Sequence, residues 1–162
     1  MKVISKQKNS RYCFICGIDN PIGLKAEFYN MADESVMTLF KYLPEHQSFP
    51  YRVHGGLIST MLDELAMRAY WVKDDSFFGV TTSMEVKFRK PVPYNIELIG
   101  KGEIISDSSR FFKTRTQILD RDNIIYSEAI TNYLKLPIEK IAGDINFHEE
   151  MGYFSDKMLD EI

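Results

Sequence analysis

Little in this chain points to chemistry carried by rare residues. Of 162 residues, two are cysteine, three histidine and one tryptophan. The cysteines, Cys13 and Cys16, stand at C-x-x-C spacing. A structural zinc site needs two further ligands, and His46, His54 and His148 show no metal-ligand spacing. A thioredoxin-like pair belongs between a strand and a helix, whereas this one precedes a turn. Ordinary reduced cysteines are the default reading, with no metal and no cofactor expected. Charge of one sign is also lacking. The net charge of −3 excludes a general nucleic-acid binder but leaves room for a local basic site. The N-terminal MKVISKQKNSRY has no apolar leader region. No apolar run approaches the roughly 18 residues of a membrane helix. A cytoplasmic protein without nucleic-acid or membrane partners is the expectation.

What the chain does have is length and apolar content. At 162 residues and 44% hydrophobic residues it suits one domain with a sizeable core. Residues 1–23 read as an irregular arm, punctuated by Asp19, Asn20, Pro21 and Gly23. Alternation predicts a strand over 24–28, and a turn at Asp33-Glu34 leads to a second strand from Val36 to Leu43. A loop containing Pro50 precedes a helix from about Gly55 to Val72. The clearest strand covers 77–90, with Val80, Thr82, Met84, Val86 and Phe88 expected on one face. Further extended segments at about 95–107, 110–120 and 124–136, joined by short turns, imply an antiparallel sheet. Residues 138–162 are polar with scattered apolar positions and read as a short helix or a loosely packed tail. One helix covers only one face of such a sheet, so at least a homodimer is expected.

The most informative stretch is His54-Gly55-Gly56 running into Leu62-Asp63-Glu64. Glycines at a helix start bare backbone N–H groups where the helix dipole favours negative charge. Leu57, Ile58, Met61, Leu62, Leu65, Ala66 and Ala69 form the core-facing arc at 100° per residue. Asp63 falls beyond one edge of that arc and Glu64 beyond the other. A donor end and a carboxylate are the minimum for hydrolysing an acyl bond. Asp63 is nine residues after His54, roughly 13 Å along a helix and half a turn round it. If the two act on one carbonyl, they come from different subunits. The same residues also fit a plain helix start with a closely packed Gly-Gly and a surface-edge Asp.

Cys13-Phe14-Ile15-Cys16-Gly17 with Asn20-Pro21 and Gly23-Leu24, then His54-Gly55-Gly56 with Leu62-Asp63-Glu64, then Val86-Lys87-Phe88-Arg89-Lys90-Pro91-Val92, resemble in order and spacing the hotdog-fold thioesterases of the PaaI-like and THEM4-like branch. The resemblance covers about residues 13–137. It implies an α+β fold: a single hotdog domain over 24–137, its long central helix wrapped by a curved antiparallel sheet. It also implies homodimers, often paired into tetramers, that hydrolyse acyl-CoA. On this pattern Asp63 is general base or nucleophile, Gly55 polarises the thioester carbonyl, and His54 positions the loop. Gln47 orients water or thioester, and Arg89 and Lys90 are candidates for the CoA phosphates. Glu64 competes with Asp63 as the working carboxylate. Pro50-Tyr51-Arg52-Val53 departs from the small residues common before the histidine, which places Tyr51 and Arg52 near substrate access. A hotdog hydratase/dehydratase and a non-catalytic acyl-CoA-binding module are the alternatives.

Overall fold

Helix α1 (Gly55–Trp71) organises the molecule. It is the centre of a computed structural model that describes residues 1–143 and 146–162. Residues 144–145 and the side chains of Ala142 and His148 lie outside the described residues. His54 caps α1 at its start, and Val72 closes it. The predicted bounds and the core-facing arc are both observed. Ile58, Met61, Leu62, Leu65 and Ala69 are buried with Phe40, Leu98, Ile118 and Ala129. Ala66, Met67, Tyr70 and Trp71 pack on Phe112 and Tyr133.

The sheet under the helix is built from β1 (Val3–Lys6), β3 (Tyr29–Met31), β4 (Val36–Phe40), β5 (Phe77–Phe88), β6 (Leu98–Asp107), β7 (Phe111–Leu119) and β8 (Ile125–Pro137). Its seven strands run in the order β1-β3-β4-β6-β7-β8-β5, all pairs antiparallel. This is the expected α+β architecture. Two short strands, β2 (Asn9–Ser10) and β9 (Met151–Gly152), form a separate pair. They join the N-terminal segment to the C-terminal one, where α2 (Ile138–Ala142) and α3 (Phe147–Glu150) also lie. Among the described residues no helix is long and apolar enough to cross a membrane.

Gly102 on β6 explains how closely the helix sits. A Cβ there would lie 2.7 Å from the Leu65 carbonyl oxygen, so only glycine admits the helix backbone at this distance.

Three local expectations are corrected. Residues 24–28 form no strand; Lys25 takes a positive φ of 52°, outside the extended region a ladder requires. Their backbone bonds go to the arm instead, from Leu24 N–H to Phe14 O and from Ala26 N–H to Ile15 O. The arm is not wholly irregular: it supplies β1 to the sheet and β2 to the small pair. The single-face reading of 77–90 fails at a bulge. Thr81 pairs with Tyr133 and Ser83 with Asn132, which leaves Thr82 as the extra residue. Gly79 and Thr81 face the helix before the bulge, Met84 and Val86 after it, and Val80 is 41% exposed. A bulge of this kind re-aims side chains within one strand. Here it delivers Thr81 to Asp63.

Candidate active site

The loop before α1 hangs on a buried histidine. His46 accepts a hydrogen bond at Nδ1 from Leu43 N–H (3.0 Å). Its Nε2 lies 3.3 Å from the Ile22 carbonyl, and its ring meets Tyr42 and Phe14 edge-on. The His46 carbonyl then accepts from His54 N–H (2.9 Å). His54 stays extended, and its Nδ1 accepts from Gly56 N–H at 3.0 Å, a side-chain N-cap. Its carbonyl accepts from Leu57 and Ile58. The His54 imidazole therefore holds the helix start in place. The Gly55 N–H, one of the donors a helix start leaves over, has no acceptor among the described residues.

Gly55 lines an open cleft of ≈ 360 Å³ with Arg52, Val53, Ile58 and the Phe88–Val92 segment. A Cβ at Gly55 would stand 3.5 Å from the Phe88 ring, an ordinary van der Waals contact. The structure thus brings Gly55, Arg89 and Lys90 together. Arg89 is already paired: its guanidinium bonds Glu128 and holds that carboxyl below its usual range. Lys90 and Arg52 have no carboxylate within ion-pair distance among the described residues. Gln47 is exposed in the preceding loop, its backbone bridged to Val53. Tyr51 has a φ of 66° and stacks on Tyr94 at 6.3 Å.

Asp63 lies further along the same helix, half-buried, eight residues beyond Gly55 and so roughly 12 Å away along the axis. Tyr133 donates to its Oδ1 at 2.7 Å and Thr81 donates to the same oxygen at 2.9 Å. No donor among the described residues reaches Oδ2. The carboxylate is held by one oxygen and free at the other, as suits a base that must meet a water in a fixed direction. Burial, and then the adjacent Asp63 charge, push the Tyr133 phenol upward, so it remains a donor across the working pH range. Sequence reasoning missed Tyr133 and Thr81, because both read as ordinary strand residues.

Glu64 points the other way. Its Oε1 accepts from Arg68 Nε at 2.9 Å, and its Oε2 lies 3.7 Å from the Cys13 thiol. Arg68 is 2% exposed, lies over the Phe28 and Trp71 rings and donates to the Lys8 carbonyl. Glu64 is therefore engaged by a buried cation, while Asp63 keeps a free oxygen. Within one chain, the Gly55 cleft and the Asp63 carboxylate are two separate places.

An antiparallel sheet wrapped on one long helix, with a bare helix N-terminus and a carboxylate farther along, is the hotdog fold. Residues 52–125 match the model of the thioesterase superfamily. A solved thioesterase superfamily protein superimposes with a TM-score of 0.72 at 21% identity, covering 76% of this chain and 60% of that one. A hypothetical thioesterase from Streptococcus pneumoniae, solved with coenzyme A, gives a TM-score of 0.63 at 18% identity, covering 69% and 86%. The chain is similar to the acyl-coenzyme A thioesterase THEM4 of Mus musculus, at 26% identity over 71% of this chain and 49% of the relative. It is similar to THEM4 of Xenopus laevis at 29% identity over 67% and 49%. The chain spans about half the length of these curated relatives. The fold is thus the hotdog fold, and the chain is similar to members of the thioesterase superfamily.

Proposed function

We propose that this chain hydrolyses acyl-CoA thioesters at a site completed by a second copy of itself. The observation that carries the reading is the Asp63 carboxylate, held at Oδ1 by Tyr133 and Thr81 and open at Oδ2. The substrate class follows the curated relatives, named acyl-coenzyme A thioesterases, and the structural neighbour that holds coenzyme A. The motifs at 13–24, 54–64 and 86–92 support placement in the PaaI-like and THEM4-like branch.

In this scheme the thioester carbonyl enters the cleft and accepts a hydrogen bond from Gly55 N–H. Removing one such donor typically costs about 2.7–4 kcal/mol of barrier. Asp63 of the second copy takes a proton from water as the oxygen attacks the carbonyl carbon. The tetrahedral intermediate collapses by breaking the C–S bond, and the leaving thiolate takes up a proton. Direct attack by Asp63 would instead give a mixed anhydride that water then cleaves. Lys90 and Arg52 are the cations placed to receive CoA phosphates.

The separation of Gly55 and Asp63 supports a shared site. So does β5, a twelve-residue strand at the free edge of the sheet with Val80 and Phe88 exposed. An edge of this length is normally paired or covered. Two β5 edges meeting across a two-fold axis would join the sheets and place each Asp63 near the other copy's helix start.

Release of free thiol from acyl-CoAs of several chain lengths is the direct test. Asp63→Asn is expected to lower turnover by at least 10²-fold with the fold retained. Asp63→Asn subunits mixed with Gly55-damaged subunits should recover part of the activity. Conversion of enoyl-CoA without thiol release would move the assignment to a hydratase. Binding of acyl-CoA with no turnover would make the chain a binding module.

A further inference from the structure

We propose that Cys13, Cys16 and Glu64 form a binding site for a thiophilic divalent cation of the zinc class, which pins the N-terminal segment to α1. Both sulfurs and a Glu64 carboxylate oxygen lie within 4.8 Å of one another. The Cys13 Sγ to Glu64 Oε2 distance is 3.7 Å. Zinc–sulfur and zinc–oxygen bonds of about 2.3 and 2.1 Å at a tetrahedral angle place such ligand atoms about 3.6 Å apart, so this pair is already at ligand spacing.

The turn around the sulfurs is shaped for thiolate. Ile15 and Cys16 N–H point at Cys13 Sγ (3.3 and 3.5 Å), and Ser10 N–H points at Cys16 Sγ (3.4 Å). Gly17 closes it: a Cβ there would stand 2.3 Å from the Cys13 carbonyl oxygen. Cys16 is 1% exposed while Cys13 is half-buried, so solvent can supply a fourth ligand beside Cys13.

Charge favours the same occupant. Without metal, the Arg68 cation balances Glu64. Uptake of one divalent cation with loss of both thiol protons leaves two thiolates, one carboxylate, the metal and Arg68, which again sum to zero. The exchange releases two protons and introduces no net buried charge. Arg68 on Oε1 leaves Oε2 as the ligand atom, in the manner of outer groups that orient metal ligands. Cysteine and histidine spacing does not reveal the site, because the third ligand comes from a helix 48 residues beyond Cys16.

The reduced chain, loaded with zinc and desalted, should retain one metal per chain by elemental analysis. Zinc should protect two thiols from alkylation and raise the melting temperature, while magnesium should do neither. Cobalt should give thiolate charge-transfer absorption in the near-ultraviolet. Cys13→Ser and Glu64→Gln should each weaken zinc binding by at least 10-fold. Thiol protection in the unaltered chain supplies a test even if a variant fails to fold. No retained zinc with both thiols equally reactive would overturn the proposal. So would zinc binding indifferent to Cys13→Ser, or a Cys13–Cys16 disulfide that persists in a thiol-buffered solution. None of these readouts depends on hydrolysis.

Discussion

Tyr133 on β8 donates a 2.7 Å hydrogen bond to Oδ1 of Asp63, a residue seventy positions earlier on α1. The same hydroxyl lies 2.8 Å from the Asp63 backbone carbonyl. The ring that carries it is fixed by a stack: Tyr133 on Phe112 at 4.7 Å, and Phe112 on Tyr70 at 4.5 Å. Packing of the helix on the sheet and aiming of the carboxylate are thus one arrangement. A change in the stack would be felt at Asp63.

Tyr133→Phe keeps the stack and removes the donor. A hydrogen bond to a charged group contributes about 1.5–3 kcal/mol. If it serves to orient the base, kcat should fall by roughly 10-fold or more while KM changes little. Steady-state kinetics with an acyl-CoA, alongside a melting curve, checks this. A purely structural role would lower stability and leave kcat per folded molecule unchanged. Thr81→Val should act in the same direction, and the double variant should be non-additive because both donors share Oδ1.

The helix, its buried arc and its two edge carboxylates were legible because a period of 3.6 residues is a local property. Gly55 as a bare donor at the helix start was legible because that too is a local feature. Which carboxylate is free was not, since that depends on Arg68 and Cys13 engaging Glu64 and on Tyr133 and Thr81 holding Asp63. The bulge at Thr82 was hidden too: two-residue alternation carries no mark of an inserted residue until the partner strand is known. The strand expected at 24–28 has the right alternation but a backbone turned at Lys25.

Gly102→Ala tests the close approach of helix and sheet. The added methyl would meet the Leu65 carbonyl at 2.7 Å, and backbone cannot yield as a flexible side chain can. Overpacking of this kind costs about 1–3 kcal/mol, a fall of several degrees in melting temperature for a chain of this size. Gly55→Ala meets only the Phe88 ring at 3.5 Å and should leave the melting temperature nearly unchanged. Equal effects at the two positions would contradict the packing described.

Acid stability should report on the clamp between the two terminal segments. Lys6 pairs with Glu27 at 2.7 Å and donates to the carbonyls of Ser155 and Lys157. Burial opposes ionisation of Glu27, but hydrogen bonds from Lys6, Ser155 and Tyr29 outweigh it and hold the carboxyl below its ordinary 4.5. A depressed carboxyl contributes stability that is present above its unfolded value and lost as pH falls through its folded one. Melting temperature should therefore be flat near neutrality and decline below about pH 4.5. Glu27→Gln should melt lower at pH 7 and lose less on acidification. A parallel decline in both proteins would remove Glu27 from the account.

The cations of the Gly55 cleft should be unequal. Arg89 spends its guanidinium on Glu128, whereas Lys90 and Arg52 have no carboxylate within ion-pair distance among the described residues. If CoA phosphates bind there, Lys90→Gln and Arg52→Gln should each raise KM for acyl-CoA several-fold with kcat little changed. Arg89→Gln should do less, because its charge is already compensated and Glu128 would be left unpaired. Exposed charge pairs weaken as the Debye length shortens, to about 8 Å at physiological ionic strength and about 3 Å at 1 M. KM of the unaltered protein should thus rise with salt, and the Lys90→Gln variant should show a shallower rise. An acyl thioester lacking the nucleotide phosphates should be indifferent both to the substitutions and to salt. If Arg89→Gln instead has the largest effect, the Arg89–Glu128 pair must open on binding and the phosphates must seat on the β5 side of the cleft.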